Sequence, residues 1–261
     1  MQRLIFGEAI EEMKNLPDNS VDMVLADIPY GSTLCKWDNV IPFEPMWEQL
    51  KRVAKENGAI ALTSSQPFTS YLITGNIQMF KYCWYWKKEK GTGFATSGRR
   101  PMNIIEEICI FYTKQPKYDK TGDALEVPYT RVLPVIKSKS GSKDNLKNRS
   151  EDGSRKYATY THKTKTQFLE FSRDKGNVGV HPTQKPVALM EYLIETYTDE
   201  GETVLDFTCG SGSTLLGCQN TNRNGIGVDN GYCEKDKVIN GIQIKGLRWV
   251  EIAQLRLDGK I

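Results

Sequence analysis

A parallel α/β sheet is the fold class that this 261-residue sequence predicts, and three observations carry the prediction. Short apolar runs rich in β-branched residues alternate with helical patterns through residues 1–113, the same rhythm returns after residue 180, and two of the runs stop abruptly at an acid followed by proline or a glycine turn. Strands separated by helices need crossover connections, and crossovers make parallel pairs.

In chain order, residues 21–26 (VDMVLA) read as a strand, 45–55 as a helix, 59–63 as a strand and 67–74 as a helix; 79–86 and 104–112 then read as strands. Between about 114 and 180 the pattern fails: Ser, Lys, Gly and Asn dominate, apolar residues thin out, and the stretch reads as an inserted module or a partly ordered region. The rhythm resumes with a helix at 186–197 that has proline at its first position, a strand at 203–206, a helix at 211–219 and a strand at 225–229. Within 237–245, Asn240-Gly241 suits a type I′ turn between two short strands, and an amphipathic helix at 247–257 closes the pattern. The expected organisation is therefore one α/β domain in two halves, 1–113 and 181–261, interrupted by 114–180.

Composition bounds the function. With 39% hydrophobic and 26% charged residues the chain is of ordinary globular type, not collagenous, repetitive or wholly disordered. No apolar run approaches the roughly 20 residues that cross a bilayer, and the start, MQRLIFGEAIEEM, has neither a basic leader nor a signal-type core, so a cytoplasmic protein without membrane contact is expected. Six cysteines without a CxxC pair and only two histidines, His162 and His181, predict reduced thiols and no metal site. The net charge of +3 conceals an asymmetry: residues 131–177 hold twelve basic and five acidic side chains, a net +7, which leaves −4 for the rest. A basic segment on a mildly acidic body points to a polyanion partner for that region, with a solvated surface loop as the alternative.

Two motifs carry chemistry. In VLADIPYG (24–31) an apolar strand ends at Asp27-Ile28-Pro29-Tyr30, at the strand end where open α/β sheets place ligands. A carboxylate, an outward backbone carbonyl and a flat ring together suit a planar, amine-bearing ring: Asp27 and the Ile28 carbonyl each accept an amino hydrogen while Tyr30 stacks on the ring face. A proline turn with an incidental Asp is the alternative. In TVLDFTCGSGST (203–214) a strand ends at Asp206, and Gly210 and Gly212 let a ligand approach the backbone at a helix start. It is no dinucleotide fingerprint, because Leu215 stands at the third glycine position, and no Walker lysine follows. Asp229 ends the next strand, the usual place for a carboxylate that holds ribose hydroxyls. A third segment, HPTQKP (181–186), leads into a helix directly before the strand ending in Asp206.

DIPYG, HPTQKP, LDFTCGSGST and IGVDN, in that order, resemble the S-adenosylmethionine-dependent amino-methyltransferases of DNA, specifically the circularly permuted β class. The resemblance covers about residues 2–113 and 181–257. It implies a Rossmann-like, doubly wound, mostly parallel sheet with an inserted target-recognition region, S-adenosylmethionine as cofactor and double-stranded DNA as partner. A homodimer and a cognate restriction endonuclease are further partners of such enzymes, in the cytoplasm of a bacterial or phage-infected cell.

By position, Asp27, Ile28, Pro29 and Tyr30 match the family's catalytic tetrad, with Ile28 in place of the usual first proline. Asp206, Phe207, Gly210 and Gly212 match the loop lining the methionine part of the cofactor, Asp229 replaces the ribose-binding Glu, and Thr183, Lys185 and Pro186 match the motif that closes over the methionine tail. Glu8 aligns with an acid that contacts adenine, with an exposed helix-start acid as the alternative. The DNA-contacting residues expected from charge are Lys143, Lys147, Arg149, Arg155 and Lys156 in the basic segment, with Arg99 and Arg100 on the loop at 91–101, where a plain surface loop is the alternative. Trp37, in the loop after the tetrad, reads better as core filler than as a base clamp.

The implied reaction is transfer of a sulfonium methyl to the amino nitrogen of a base swung out of the duplex. The absence of a Pro-Cys dipeptide argues against the ring-carbon cytosine enzymes. Adenine is favoured because family members with Asp first in the tetrad mostly modify adenine. Cytosine amino-methylation, RNA or protein methylation, and a non-catalytic DNA-binding homologue are the rivals.

Overall fold

The computed structural model describes residues 1–31, 38–94, 97–133, 136–137, 146–147, 156–172, 180 and 184–261. They form two compact units, Met1–Asp119 with Gln167–Ile261, and Lys120–Thr166.

In the larger unit the first half runs β1 (Gln2–Phe6), α1 (Ala9–Lys14), β2 (Val21–Ala26), α2 (Phe43–Val53), β3 (Ala54–Ser64), α3 (Phe68–Thr74), β4 (Phe80–Thr92) and β5 (Asn103–Phe111). The smaller unit holds β6 (Thr121–Val132), β7 (Ile136–Lys137), β8 (Leu146–Lys147) and β9 (Tyr157–Thr164). The larger unit resumes with β10 (Phe168–Glu170), α4 (Val187–Tyr197), β11 (Thr203–Asp206), α5 (Ser213–Asn220), β12 (Asn224–Asp229), the hairpin β13 (Val238–Ile239) and β14 (Ile242–Gln243), and α6 (Trp249–Leu257). Its sheet has the order β1-β12-β11-β2-β3-β5-β4-β10.

Five of these pairings are parallel; β5 alone runs against both its neighbours, β3 and β4. The reason is local: the connection at 93–102 is ten residues long, too short for a crossover, which needs a dozen or more, so the chain returns antiparallel. Both faces of the sheet are covered, which explains why β2 is apolar almost throughout. Val24 and Ala26 pack under α1, α2 and α3 with Met13, Leu50 and Leu72, while Met23 and Leu25 pack against α4 with Leu189, Leu193 and Tyr197.

The parallel register delivers polar groups to one sheet edge. Ala26 is opposite Leu62, so Asp27 and Thr63, one residue on, stand side by side; Asp206 is opposite Gly227, two residues short of Asp229. Because β5 is antiparallel, its early residues Glu106 and Glu107 return to that same edge, with Glu107 opposite Ser64.

Three parts of the predicted insertion are regular, one of them the short antiparallel pair of β7 with β8. Residues 168–170 form β10, parallel to β4 with Leu169 buried, and 121–132 pair antiparallel with 157–164, where Tyr129 stacks on Tyr160 at 5.2 Å. These strands escape sequence reading because β10 is three residues long and β9 buries no side chain fully, so no apolar period marks either. The Asn240-Gly241 turn has φ of 49° and 81°, as a type I′ turn requires.

Candidate active site

A cleft of about 1510 Å³ opens at the edge where these strands end. That exceeds the roughly 300–1,000 Å³ of a single-ligand pocket, leaving room for two bound groups. Asp27, Ile28, Pro29 and Tyr30 line it together with Asp206, Phe207, Gly210 and Asp229, so the two motifs, separated by some 180 residues of sequence, face one space.

Asp27 accepts hydrogen bonds from four residues. Its Oδ1 accepts from Tyr30 Oη at 2.9 Å and from Thr63 Oγ1, its Oδ2 accepts from Lys185 Nζ at 2.6 Å, and its main-chain oxygen accepts from Thr208 Oγ1 at 3.2 Å. Tyr30 Oη also lies 2.8 Å from Thr63 Oγ1, a second acceptor within reach of its single proton, and its ring stacks on Phe68 with centroids 5.4 Å apart. Burial, reinforced by the charges of Asp27 and Glu106, pushes the Tyr30 hydroxyl well above its ordinary pKa, so it stays a neutral donor. The Ile28 side chain is buried in the core, so what this residue offers the cleft is its main chain.

Lys185, which the resemblance associates with the methionine tail, here reaches the tetrad and, at 3.3 Å, Glu106 Oε2; Lys88 pairs with Glu106 Oε1 at 3.1 Å. Thr63, Thr208, Glu106 and Lys88 are not singled out by the sequence. Thr63 carries a usable signal, a polar residue closing an apolar strand. Glu106 and Lys88 carry none without the antiparallel pairing that sets Glu106 opposite Trp86.

On the other side of the cleft, Asp206 accepts from Thr208 N at 3.1 Å, and burial lifts its carboxyl to about 7. Asp229 is also raised by burial; Gly210 N donates to its Oδ2 at 3.0 Å and Gly231 N to its Oδ1 at 2.7 Å. Gly210, at φ 48°, supplies the left-handed turn. Gly212, at φ 80°, serves packing: a Cβ there would lie 2.7 Å from Ala253 Cβ on α6. Phe207 lines the cleft while its side chain fills the core at 0% exposure. Pro186 is buried at the N-cap of α4. Glu8 lines the cleft and caps α1, accepting from Glu11 N at 2.9 Å.

Of the expected DNA contacts, Arg99 and Arg100 are exposed on the 93–102 connection, with Arg100 lining the cleft, and Lys156 is exposed in the smaller unit. Lys147 lies in β8 with its side chain undescribed, and Lys143, Arg149, Arg155, Thr183 and Trp37 lie outside the described residues. Among the described residues no helix is long and apolar enough to cross a membrane.

Three acids, a glycine turn and an adjoining stacking tyrosine make an acidic, partly aromatic cleft, which suits a cationic nucleoside beside a planar amine. Several known proteins resemble this chain. The chain is 30% identical over 99% of its length to the type II methyltransferase M.HpaI of Haemophilus parainfluenzae, covering 75% of that protein. It is 26% identical over 96% of its length to the DNA adenine methyltransferase YhdJ of Escherichia coli K12, covering 83% of it. Among solved structures it resembles the M1.HpyAVI–SAM complex (TM-score 0.58, 22% identity, 98% of this chain and all of that one). It also resembles the cytosine-N4-specific PvuII DNA methyltransferase (TM-score 0.62, 14% identity, 99% and 93%). A family model described as DNA methylase, N6_N4_Mtase, matches residues 21–237, and the chain therefore belongs to that family of DNA methyltransferases.

Proposed function

We propose that this protein transfers a methyl group from S-adenosylmethionine to the exocyclic amino group of an adenine flipped out of double-stranded DNA. The observation that carries this reading is the convergence of Asp27 and Tyr30 with Asp206, Gly210 and Asp229 on one cleft. The donor set fits the cofactor. Asp229 has one lone pair left on each oxygen for ribose hydroxyls, Asp206 offers a carboxylate to a positive charge, and Gly210 keeps the loop low beside it. When bound, the cofactor supplies an electrophilic sulfonium methyl: the S–C bond breaks as the N–C bond forms, leaving a neutral thioether.

The chain's own groups act on the amine. Asp27 Oδ2 and the Ile28 carbonyl accept its two hydrogens, which favours a more tetrahedral nitrogen, and Asp27 stabilises the positive charge that develops there and takes the departing proton. Tyr30, backed by Phe68, is the stacking platform that offsets the few kcal/mol of base extrusion. Alignment of amine and methyl supplies much of the remaining acceleration.

Adenine is preferred over cytosine because Asp27 leads the tetrad and the YhdJ relative is named an adenine methyltransferase. Target reading is assigned to the basic insertion 114–180, whose net charge supports phosphate contact. The experiment is incubation of the purified protein with duplex DNA and methyl-labelled S-adenosylmethionine, followed by nucleoside mass spectrometry. N6-methyladenine is expected, N4-methylcytosine would reassign the base, and labelled RNA or protein with unlabelled DNA would overturn the proposal. Asp27→Ala should abolish methylation while cofactor affinity stays near wild type.

A further inference from the structure

We propose that Lys185 is a positioning residue for methyl transfer: it fixes Asp27 so that a single lone pair on Oδ2 faces the incoming amine, and Glu106 with Lys88 holds Lys185 in place. The inference rests on the reading of Asp27 as the amine acceptor.

The argument is an inventory of lone pairs. An ionised carboxylate has about four acceptor sites, two on each oxygen. Tyr30 Oη and Thr63 Oγ1 occupy both on Oδ1, and Lys185 Nζ occupies one on Oδ2, so one site remains. Donors on both oxygens, from three separate segments, also stop the carboxyl from rotating about its Cβ–Cγ bond. Without Lys185 the group could swing Oδ2 away from the amine, and it would face the nearby carboxylates of Glu106 and Asp206 with no cation beside it.

Lys185 is equipped for such a role. Its side chain is 7% exposed, and its ammonium lies between Asp27 at 2.6 Å and Glu106 at 3.3 Å. Burial pulls its pKa down, but the charges of Asp27 and Glu106 outweigh that and hold it above the ordinary value, so it remains a cation. Lys88, 5% exposed, closes the far side of Glu106 at 3.1 Å. Two acids and two ammonium groups give a neutral quartet, which is the condition under which buried charges persist.

The test is steady-state methylation by Lys185→Met, Lys185→Arg and Glu106→Gln, with S-adenosylmethionine affinity measured separately by calorimetry and folding checked by melting temperature. Lys185→Met should lower kcat by about 100-fold and Glu106→Gln by about 10-fold, each with cofactor Kd within about 3-fold of wild type. Lys185→Arg, which keeps a charged donor, should recover at least about a tenfold part of the loss. Wild-type kcat in Lys185→Met, or a cofactor Kd raised tenfold with kcat unchanged, would overturn the inference and return Lys185 to the cofactor. Should Lys185→Met not fold, the Glu106→Gln and Lys185→Arg arms decide in the same way. Failure of wild-type protein to methylate any DNA would instead refute the underlying reading.

Discussion

Replacing Asp206 by Asn in the cofactor-free protein should make the fold more stable at alkaline pH while making it a poorer enzyme. Asp206 ends β11 at 3% exposure, and burial lifts its carboxyl from 3.8 to about 7 despite hydrogen bonds from Thr214 and Thr208 that pull it down; Asp27 and Asp229 add repulsion. Between pH 3.8 and about 7 the folded protein keeps a proton that the unfolded chain has released, so stability falls as pH rises through that window. At about 1.4 kcal/mol per pH unit, the ionised carboxyl costs the empty fold about 4 kcal/mol once the pH is above 7. Asn keeps an Oδ1 acceptor for the Thr208 N–H and the shape of the protonated acid, but it never ionises. Urea unfolding of both proteins from pH 4 to 8.5 should therefore show curves that coincide at the acid end and separate by up to about 4 kcal/mol at the alkaline end, with Asn the more stable. Cofactor affinity should move the other way, falling about tenfold or more at pH 8 because the proposed role of Asp206 is to offer a charge to the sulfonium, and Asn has none. Two stability profiles that run parallel across the whole range would refute the reasoning.

Tyr30→Ala removes the stacking platform, worth about 1–3 kcal/mol per base, and should raise KM for DNA by about 5- to 150-fold; Tyr30→Phe, which loses only the donor to Asp27 and Thr63, should mainly lower kcat. Steady-state kinetics separates the two, and a wild-type KM in the alanine variant would count against Tyr30 as platform. Gly212→Ala forces a side chain into positive φ and against Ala253, and should destabilise by about 1–3 kcal/mol in thermal or urea unfolding. Lys156→Ala with Lys163→Ala should flatten the dependence of DNA affinity on salt by about 0.9 in log–log slope for each phosphate that is no longer neutralised; an unchanged slope would mean that this part of the insertion does not touch DNA.

The fold is legible in the sequence where burial is two-sided. Residues 21–26 and 203–206 disclose their strand bounds to the residue, because each run is apolar but for Asp22 and one threonine until an acid, or a residue before one, stops it at the sheet edge. Strand β1 gives no such signal, and β6, β9 and β10 are invisible, since their side chains are mostly half-buried or exposed, or too few to show a period. In the cleft, Asp27, Asp206 and Asp229 are legible by the same rule that puts each at a strand end. Phe207 illustrates the converse: it sits in the motif, yet its ring serves the core. Glu106 shows what sequence withholds. Its neighbour Glu107 is chemically identical, points to the other side of the strand and bonds Thr69 Oγ1 at 3.2 Å, and only the register of β5 distinguishes the two.

The reversed direction of β5 has a consequence for how this chain tolerates change in length. Pairing with β3 on one side and β4 on the other pins the strand independently of the connection at 93–102, so residues added to or removed from that connection leave Glu106 under Lys185 and alter only what the rim presents. A single residue inserted between Glu106 and Ile108 is a different event. It exchanges the two faces of the strand start, turning the carboxylate that braces Lys185 toward Thr69. Descendants of this chain are thus free to diversify their rim by insertion and deletion, while the strand that follows it must keep its count.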